Sequence, residues 1–103
     1  MQVVGEPGLE KFWTRHTGAR DWLQNWLAIV RGARWQRIQD VWETYPTADG
    51  GVKVKSGGKV TVFDVGGNNY RLIVTIAYKA QAVTVLEVMT HAEYSKHLWK
   101  ARY

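Results

Sequence analysis

The spacing of hydrophobic residues changes once along the chain, from a helical repeat to a strand repeat. Before the change, "GLEKFWTRHTG" (8–18) predicts a short helix, with Pro7 near its start and Gly18 as its stop. In "ARDWLQNWLAIVRGARW", Leu23, Trp26, Leu27 and Val30 fall at helical spacing and predict an amphipathic helix that Gly32 ends. "QRIQDVWETY" repeats the pattern with Ile38, Val41, Trp42 and Tyr45, and Pro46 closes it. Five of the six tryptophans, Trp13, Trp22, Trp26, Trp35 and Trp42, lie in this half. Their helical spacing beside Leu and Val assigns most of them to the core rather than to base stacking.

From Val60 the period is two. "VTVFDV", "YRLIVTIAY" and "VTVLEVM" are β-branched runs separated by "GGNN" and "KAQA", which predicts an antiparallel meander. "THAEYSKHLWKARY" then reads as a closing helix. The expected class is α+β: N-terminal helices packed on a small antiparallel β-sheet, with a short C-terminal helix, in one domain spanning 1–103. Between the halves, residues 46–59 form a Gly-rich, lysine-bearing connector. Its "VKVK" suits either an edge strand guarded by lysines or a mobile basic flap.

Composition narrows the chemistry. There are no cysteines, which removes disulfides, thiol nucleophiles and cysteine-bound zinc. No signal peptide and no apolar run of transmembrane length is seen, so a soluble, cytoplasmic protein is expected. The charge is uneven. Residues 1–52 hold six Lys/Arg against six acids, whereas residues 53–103 hold eight against three and carry the whole +5. Such a basic half suits a polyanion, RNA or DNA first, or else a solubilising surface.

Alternation in "YRLIVTIAY" puts Leu72, Val74 and Ile76 on the face under the helices. Arg71 then lies on the other, less covered face. There it is either a free guanidinium for a phosphate or the ion-pair partner of Asp64 or Glu87. "THAE" matches a capping box, with Thr90 as N-cap and Glu93 reaching back to its amide. This places His91 at the first helical position, among backbone N–H groups that favour anions, or else as an inert exposed residue. His91 and His97 are not at ligand spacing, so no metal and no cofactor are expected. An Arg, a His, a Tyr and several Lys on a basic sheet suit metal-independent RNA cleavage. There the 2′-hydroxyl attacks the adjacent phosphate, protons must move, and negative charge develops.

"VFDVGGNNYRLIV" and "VMTHAEYSKHLW", preceded in order by "FWTRH", "LQNWLAIVRGARW" and "VWETYPTAD", resemble HigB-type toxins of the RelE-like superfamily of bacterial toxin–antitoxin systems. The resemblance covers nearly the whole chain apart from 50–59. It implies a RelE-like fold, an mRNA endonuclease acting on the ribosome, and a cognate helix-turn-helix antitoxin. By position it gives catalytic roles to Arg71, His91 and Tyr94. Ser95 stands where the family commonly has an aspartate, and the paired strand lysines of RelE have no match in "VTVF". Lys59, Asn68 and Lys96, with Lys53 and Lys55 of the connector, are the expected RNA-binding residues. The competing readings are a non-catalytic RNA-binding or antitoxin-binding module of the same fold, and a generic α+β domain.

Overall fold

The computed structural model describes all 103 residues. Its elements run β1 (Gln2–Val4), α1 (Glu6–Arg15), a 3-10 turn (Thr17–Ala19), α2 (Arg20–Gly32), α3 (Ile38–Thr44), β2 (Asp49–Lys53), β3 (Lys59–Val65), β4 (Tyr70–Ala77), β5 (Ala82–Thr90), α4 (His91–Ser95) and a 3-10 segment (Leu98–Arg102). The five strands form one sheet in the order β1-β5-β4-β3-β2. The β2-to-β5 run is an antiparallel meander, as the turn sequences predict. No helix is long and apolar enough to cross a membrane.

The chain departs from the expected order in two places. β1, which precedes the helices, pairs in parallel with β5 through Gln2↔Ala82 to Val4↔Thr84. Gly5 allows the turn into α1. Its φ is 91°, and a Cβ there would lie 2.8 Å from the Val85 carbonyl oxygen, so only glycine fits. The closing helix, for its part, is not continuous. α4 stops at Ser95, His97 adopts φ 59°, and the chain turns into the 3-10 segment.

Two cores result, one on each face of the sheet. On the helix face Leu9, Leu23, Trp26, Leu27, Val30 and Val41 meet Phe63, Val65, Leu72, Val74 and Val83. Trp26 and Trp35 are buried there and Trp13 and Trp22 pack against it, as expected, whereas Trp42 is 42% exposed. The opposite face carries a second cluster of Val52, Val54, Val60, Val62, Ile73, Met89 and Trp99. Trp99, only 1% exposed, closes it from the C-terminal segment.

The connector is built into this second layer. β2 is an edge strand over Asp49–Lys53. Beyond it, the Lys55 and Ser56 backbone N–H groups donate to the Lys100 and Tyr103 carbonyls at 3.0 and 3.3 Å. Arg102 grips Glu87 through two hydrogen bonds of 2.7 and 2.8 Å, and the Tyr103 hydroxyl donates to the same carboxylate at 2.8 Å. Of "VKVK", Val52 and Lys53 belong to the edge strand, and Val54 and Lys55 follow it in the turn.

Candidate functional site

The register brings the β3–β4 turn and the β5–α4 junction to one end of the sheet. Asp64 faces Arg71, and Arg71 faces Met89, on three successive strands. One pair further on, Tyr70 faces Thr90, and the His91 backbone N–H donates to the Asn69 carbonyl at 3.0 Å. Arg71, Asn68, His91 and Tyr94 therefore assemble from residues far apart in sequence.

Arg71 lies on the face opposite the helices, as alternation predicts, but that face is not open. The residue is only 8% exposed: Tyr94 of α4 lies over its guanidinium, and Asp64 and Asn68 engage it. Its Nε lies 3.1 Å from the Asp64 carboxylate in an ion pair, one terminal nitrogen donates to the Tyr70 carbonyl at 3.0 Å, and the other to the Asn68 side chain. The ion-pair alternative with Asp64 is thus realised, while Glu87 pairs with Arg102 instead. One N–H on each terminal nitrogen has no partner, which leaves the guanidinium donors for an oxyanion.

Tyr94 covers the guanidinium, whose carbon lies 5.5 Å from the ring centroid. Trp99 stacks on the same tyrosine at 5.5 Å and 21°, and its indole N–H donates to the Tyr94 carbonyl at 3.3 Å. His97 meets the Tyr94 ring edge at 6.1 Å. Burial pushes the Tyr94 hydroxyl above its ordinary value; Asp49 and Asp64 add to the effect and Arg71 opposes it. The phenol therefore holds its proton at neutral pH and beyond. Trp99 and Asp49 are contributors that sequence reasoning missed. A tryptophan after a chain reversal and an aspartate on an edge strand carry no local signal.

His91 opens α4 and is exposed, with its surroundings corrected in two respects. Its own N–H is held by Asn69, and the Glu93 N–H by the Thr90 hydroxyl at 3.2 Å, so the expected row of free donors is absent. Glu93 meets the Thr90 hydroxyl at 3.3 Å rather than the Thr90 amide. Ser95 Oγ donates to the His91 carbonyl at 2.9 Å and lies 3.5 Å from His91 Nε2. The serine thus occupies a place from which a side chain can orient the imidazole.

The lysines are dispersed. Lys96 is exposed at the end of α4. Lys53 pairs with Lys59 where β2 and β3 begin to part. That is five residues along β3 from Asp64, about 16 Å at roughly 3.3 Å per residue. By alternation Lys59 also points to the face opposite Arg71. Lys55 is exposed beside Lys100. Asn68 is engaged with Arg71. No three His, Asp or Glu side chains are grouped to hold a metal ion.

Comparison with known proteins identifies a family. A family model described as HigB_toxin, RelE-like toxic component of a toxin-antitoxin system, matches residues 19–97. No curated protein matches the chain. The mixed sheet-and-helix architecture agrees with a RelE-like fold. The match spans α2, α3, the meander and the Arg71–His91–Tyr94 end of the sheet, and the chain belongs to the HigB toxin family.

Proposed function

We propose that this toxin is a metal-independent endoribonuclease that cuts mRNA on the ribosome, acts in the cytoplasm, and is neutralised by a helix-turn-helix antitoxin. The observation that carries the reading is the stack of Arg71 beneath Tyr94 at 5.5 Å, joined through Asn69 to His91 at the same end of the sheet. It unites a cation, a protonated phenol and an imidazole. In-line transesterification uses a base, an acid and a charge-stabilising donor, roles these three groups can fill.

The 2′-oxygen of one nucleotide bonds to the adjacent phosphorus, and the bond from phosphorus to the 5′-oxygen breaks. His91 takes the proton from the 2′-hydroxyl, and Tyr94 gives one to the departing 5′-oxygen. The products are a 2′,3′-cyclic phosphate and a 5′-hydroxyl. Arg71 meets the charge that grows on the non-bridging oxygens, and Asn68 holds its fork in place. Lys96 contacts the backbone near the cut. Lys55, Lys53 and Lys59 reach only a longer stretch of RNA.

Asp64 gives the alternative its best support. A guanidinium that is 8% exposed and already ion-paired also suits a non-catalytic module that binds RNA or an antitoxin. The test is incubation of purified protein with mRNA, free and on translating ribosomes. Cleavage leaving 5′-hydroxyl ends only in the ribosomal sample supports the proposal. Salt-dependent binding without cleavage in either sample supports the module.

A further inference from the structure

The end of the sheet opposite Arg71 holds a second cationic feature that the proposed cleavage does not use. There the β4–β5 turn and the α2–α3 connector are fastened together by one side chain. Gln81 adopts φ 55°, and its amide nitrogen donates to the Trp35 carbonyl at 2.6 Å and the Tyr78 carbonyl at 2.8 Å. Beside this link lies an open groove of about 1000 Å³ lined by Arg31, Arg34, Gln36, Tyr78, Lys79 and Gln81, with no carboxylate in its wall. Arg31 is paired with Glu6, but Arg34 and Lys79 have no acidic partner. Asp40, close enough to raise the Tyr78 hydroxyl's proton affinity after burial has done so, is engaged by the Gln36 backbone N–H at 2.8 Å.

We infer that this groove docks the sugar–phosphate backbone of base-paired RNA. Arg34 and Lys79 supply cations for phosphates, on loops that Gln81 holds in fixed relation. Both Gln81 amide protons are engaged on backbone carbonyls, so its oxygen is left to accept from a ribose 2′-hydroxyl. Readers of single strands instead present exposed aromatic rings for base stacking. Here the Tyr78 ring packs on the core and Trp35 is 5% exposed, so the groove offers no such platform. The groove sits beyond Tyr78, and the proposed cleavage site begins at Tyr70. Eight residues of strand put about 26 Å between them. The inference rests on the RNA-directed reading above, but concerns a separate surface and a different form of RNA.

The test is fluorescence anisotropy of the full chain with a labelled RNA duplex of about 16 base pairs, over about 50 to 200 mM salt. The double variant Arg34→Ala/Lys79→Ala should bind about tenfold to hundredfold more weakly and flatten the salt slope by ~1.8, at ~0.9 for each phosphate no longer neutralised. Arg20→Ala, an exposed cation at the other end of α2, is the control and should behave as wild type. All the altered residues are exposed, and matching thermal melts will show that the fold is intact. An unchanged slope in the double variant overturns the inference, as does an equal loss in the control. Equal affinity for a single strand of the same length overturns the base-paired assignment. Displacement of the duplex by polyglutamate at matched charge overturns RNA as the occupant, in favour of an acidic protein segment. Because the readout is binding, a protein that fails to cleave leaves this test intact.

Discussion

Asp64 and Arg71 sit directly opposite each other on β3 and β4, and the Arg71 Nε forms an ion pair with the Asp64 carboxylate at 3.1 Å. The cation assigned to the RNA phosphate is therefore neutralised and oriented before any substrate arrives. A phosphate must share the fork with Asp64 or displace it. The pair is uneven in exposure: the Arg71 side chain is 9% exposed and that of Asp64 33%. Asp64→Asn keeps the shape but leaves a nearly buried guanidinium with a weaker acceptor. It should lower stability by about 1–3 kcal/mol, read as a shifted urea midpoint with unchanged slope. No shift would mean that Asn68 and the Tyr70 carbonyl satisfy Arg71 alone.

Tyr94→Phe separates proton donation from stacking. Phenylalanine preserves the packing against Trp99 and Arg71, so the variant should melt like wild type. Its single-turnover cleavage should fall about 100- to 10,000-fold, the range for removal of a general acid or base. Because burial, then Asp49 and Asp64, raise the Tyr94 hydroxyl against the opposing Arg71, its proton stays in place past the ordinary phenol value. The alkaline fall of the wild-type rate should accordingly lie above about pH 10. Full activity in Tyr94→Phe would remove the tyrosine from the mechanism.

Trp99 lies beyond residue 97, where the family match ends, yet it seals the second core and backs Tyr94. Trp99→Ala should cost about 3–5 kcal/mol, as for a large aromatic deleted from a core. Trp99→Phe should cost less and retain cleavage, since a ring still supports Tyr94. Denaturant titration of both variants checks this. A loss under about 1 kcal/mol for the alanine would show that the segment merely rests on the sheet.

The Glu87–Arg102–Tyr103 clasp makes a two-sided pH prediction. Burial pushes the Glu87 carboxyl up, but the hydrogen bonds from Arg102 and Tyr103 and the Arg102 charge outweigh it and leave it below its ordinary value. A lowered acid contributes stability above its unfolded value and loses it as pH falls through the folded one. Tyr103 is pushed up to about 12, by burial first and then by Glu87, so its contribution holds below about 10 and is lost as pH rises through 12. Melting temperature across pH should therefore fall at both ends. In Glu87→Gln the acid-side fall should be reduced. An unchanged acid limb in that variant would assign the acid loss to other carboxylates.

Much of this architecture is legible locally. Helical spacing finds α1 to α3 because each buries a stripe on the sheet, and strict alternation finds β3 to β5 because the sheet's two faces differ. Alternation also assigns Arg71 to the correct face. What it misses depends on distant partners. β1 has three residues, too few to show a period, and exists by pairing with β5 some eighty positions away. The break at His97 has no glycine or proline to announce it; the buried position of Trp99 requires the reversal. For the same reason Arg71 reads as open, since Tyr94, which lies over it, comes from α4 and Asp64 from the neighbouring strand. Of the proposed site, Arg71 and Tyr94 are readable and meet in space, with His91 at the head of the same helix, and their roles belong to the proposal. The roles of Asp64 and Asn68 as ligands of the arginine emerge only from the register. Whether Lys53, Lys55 and Lys59 meet RNA remains part of the proposal.

The central claim is that the Arg71 end of the sheet cuts translated mRNA. The most direct measurement is inducible expression in bacteria with transcriptome-wide mapping of new 5′ ends, wild type beside Arg71→Ala. Loss of a charge-stabilising donor should reduce cleavage about 100- to 1,000-fold. The account predicts growth arrest with in-frame cuts inside translated messages for wild type, and neither for a soluble, folded Arg71→Ala protein. Arrest and cuts that persist in the variant would contradict it, as would soluble wild-type protein that produces no new ends.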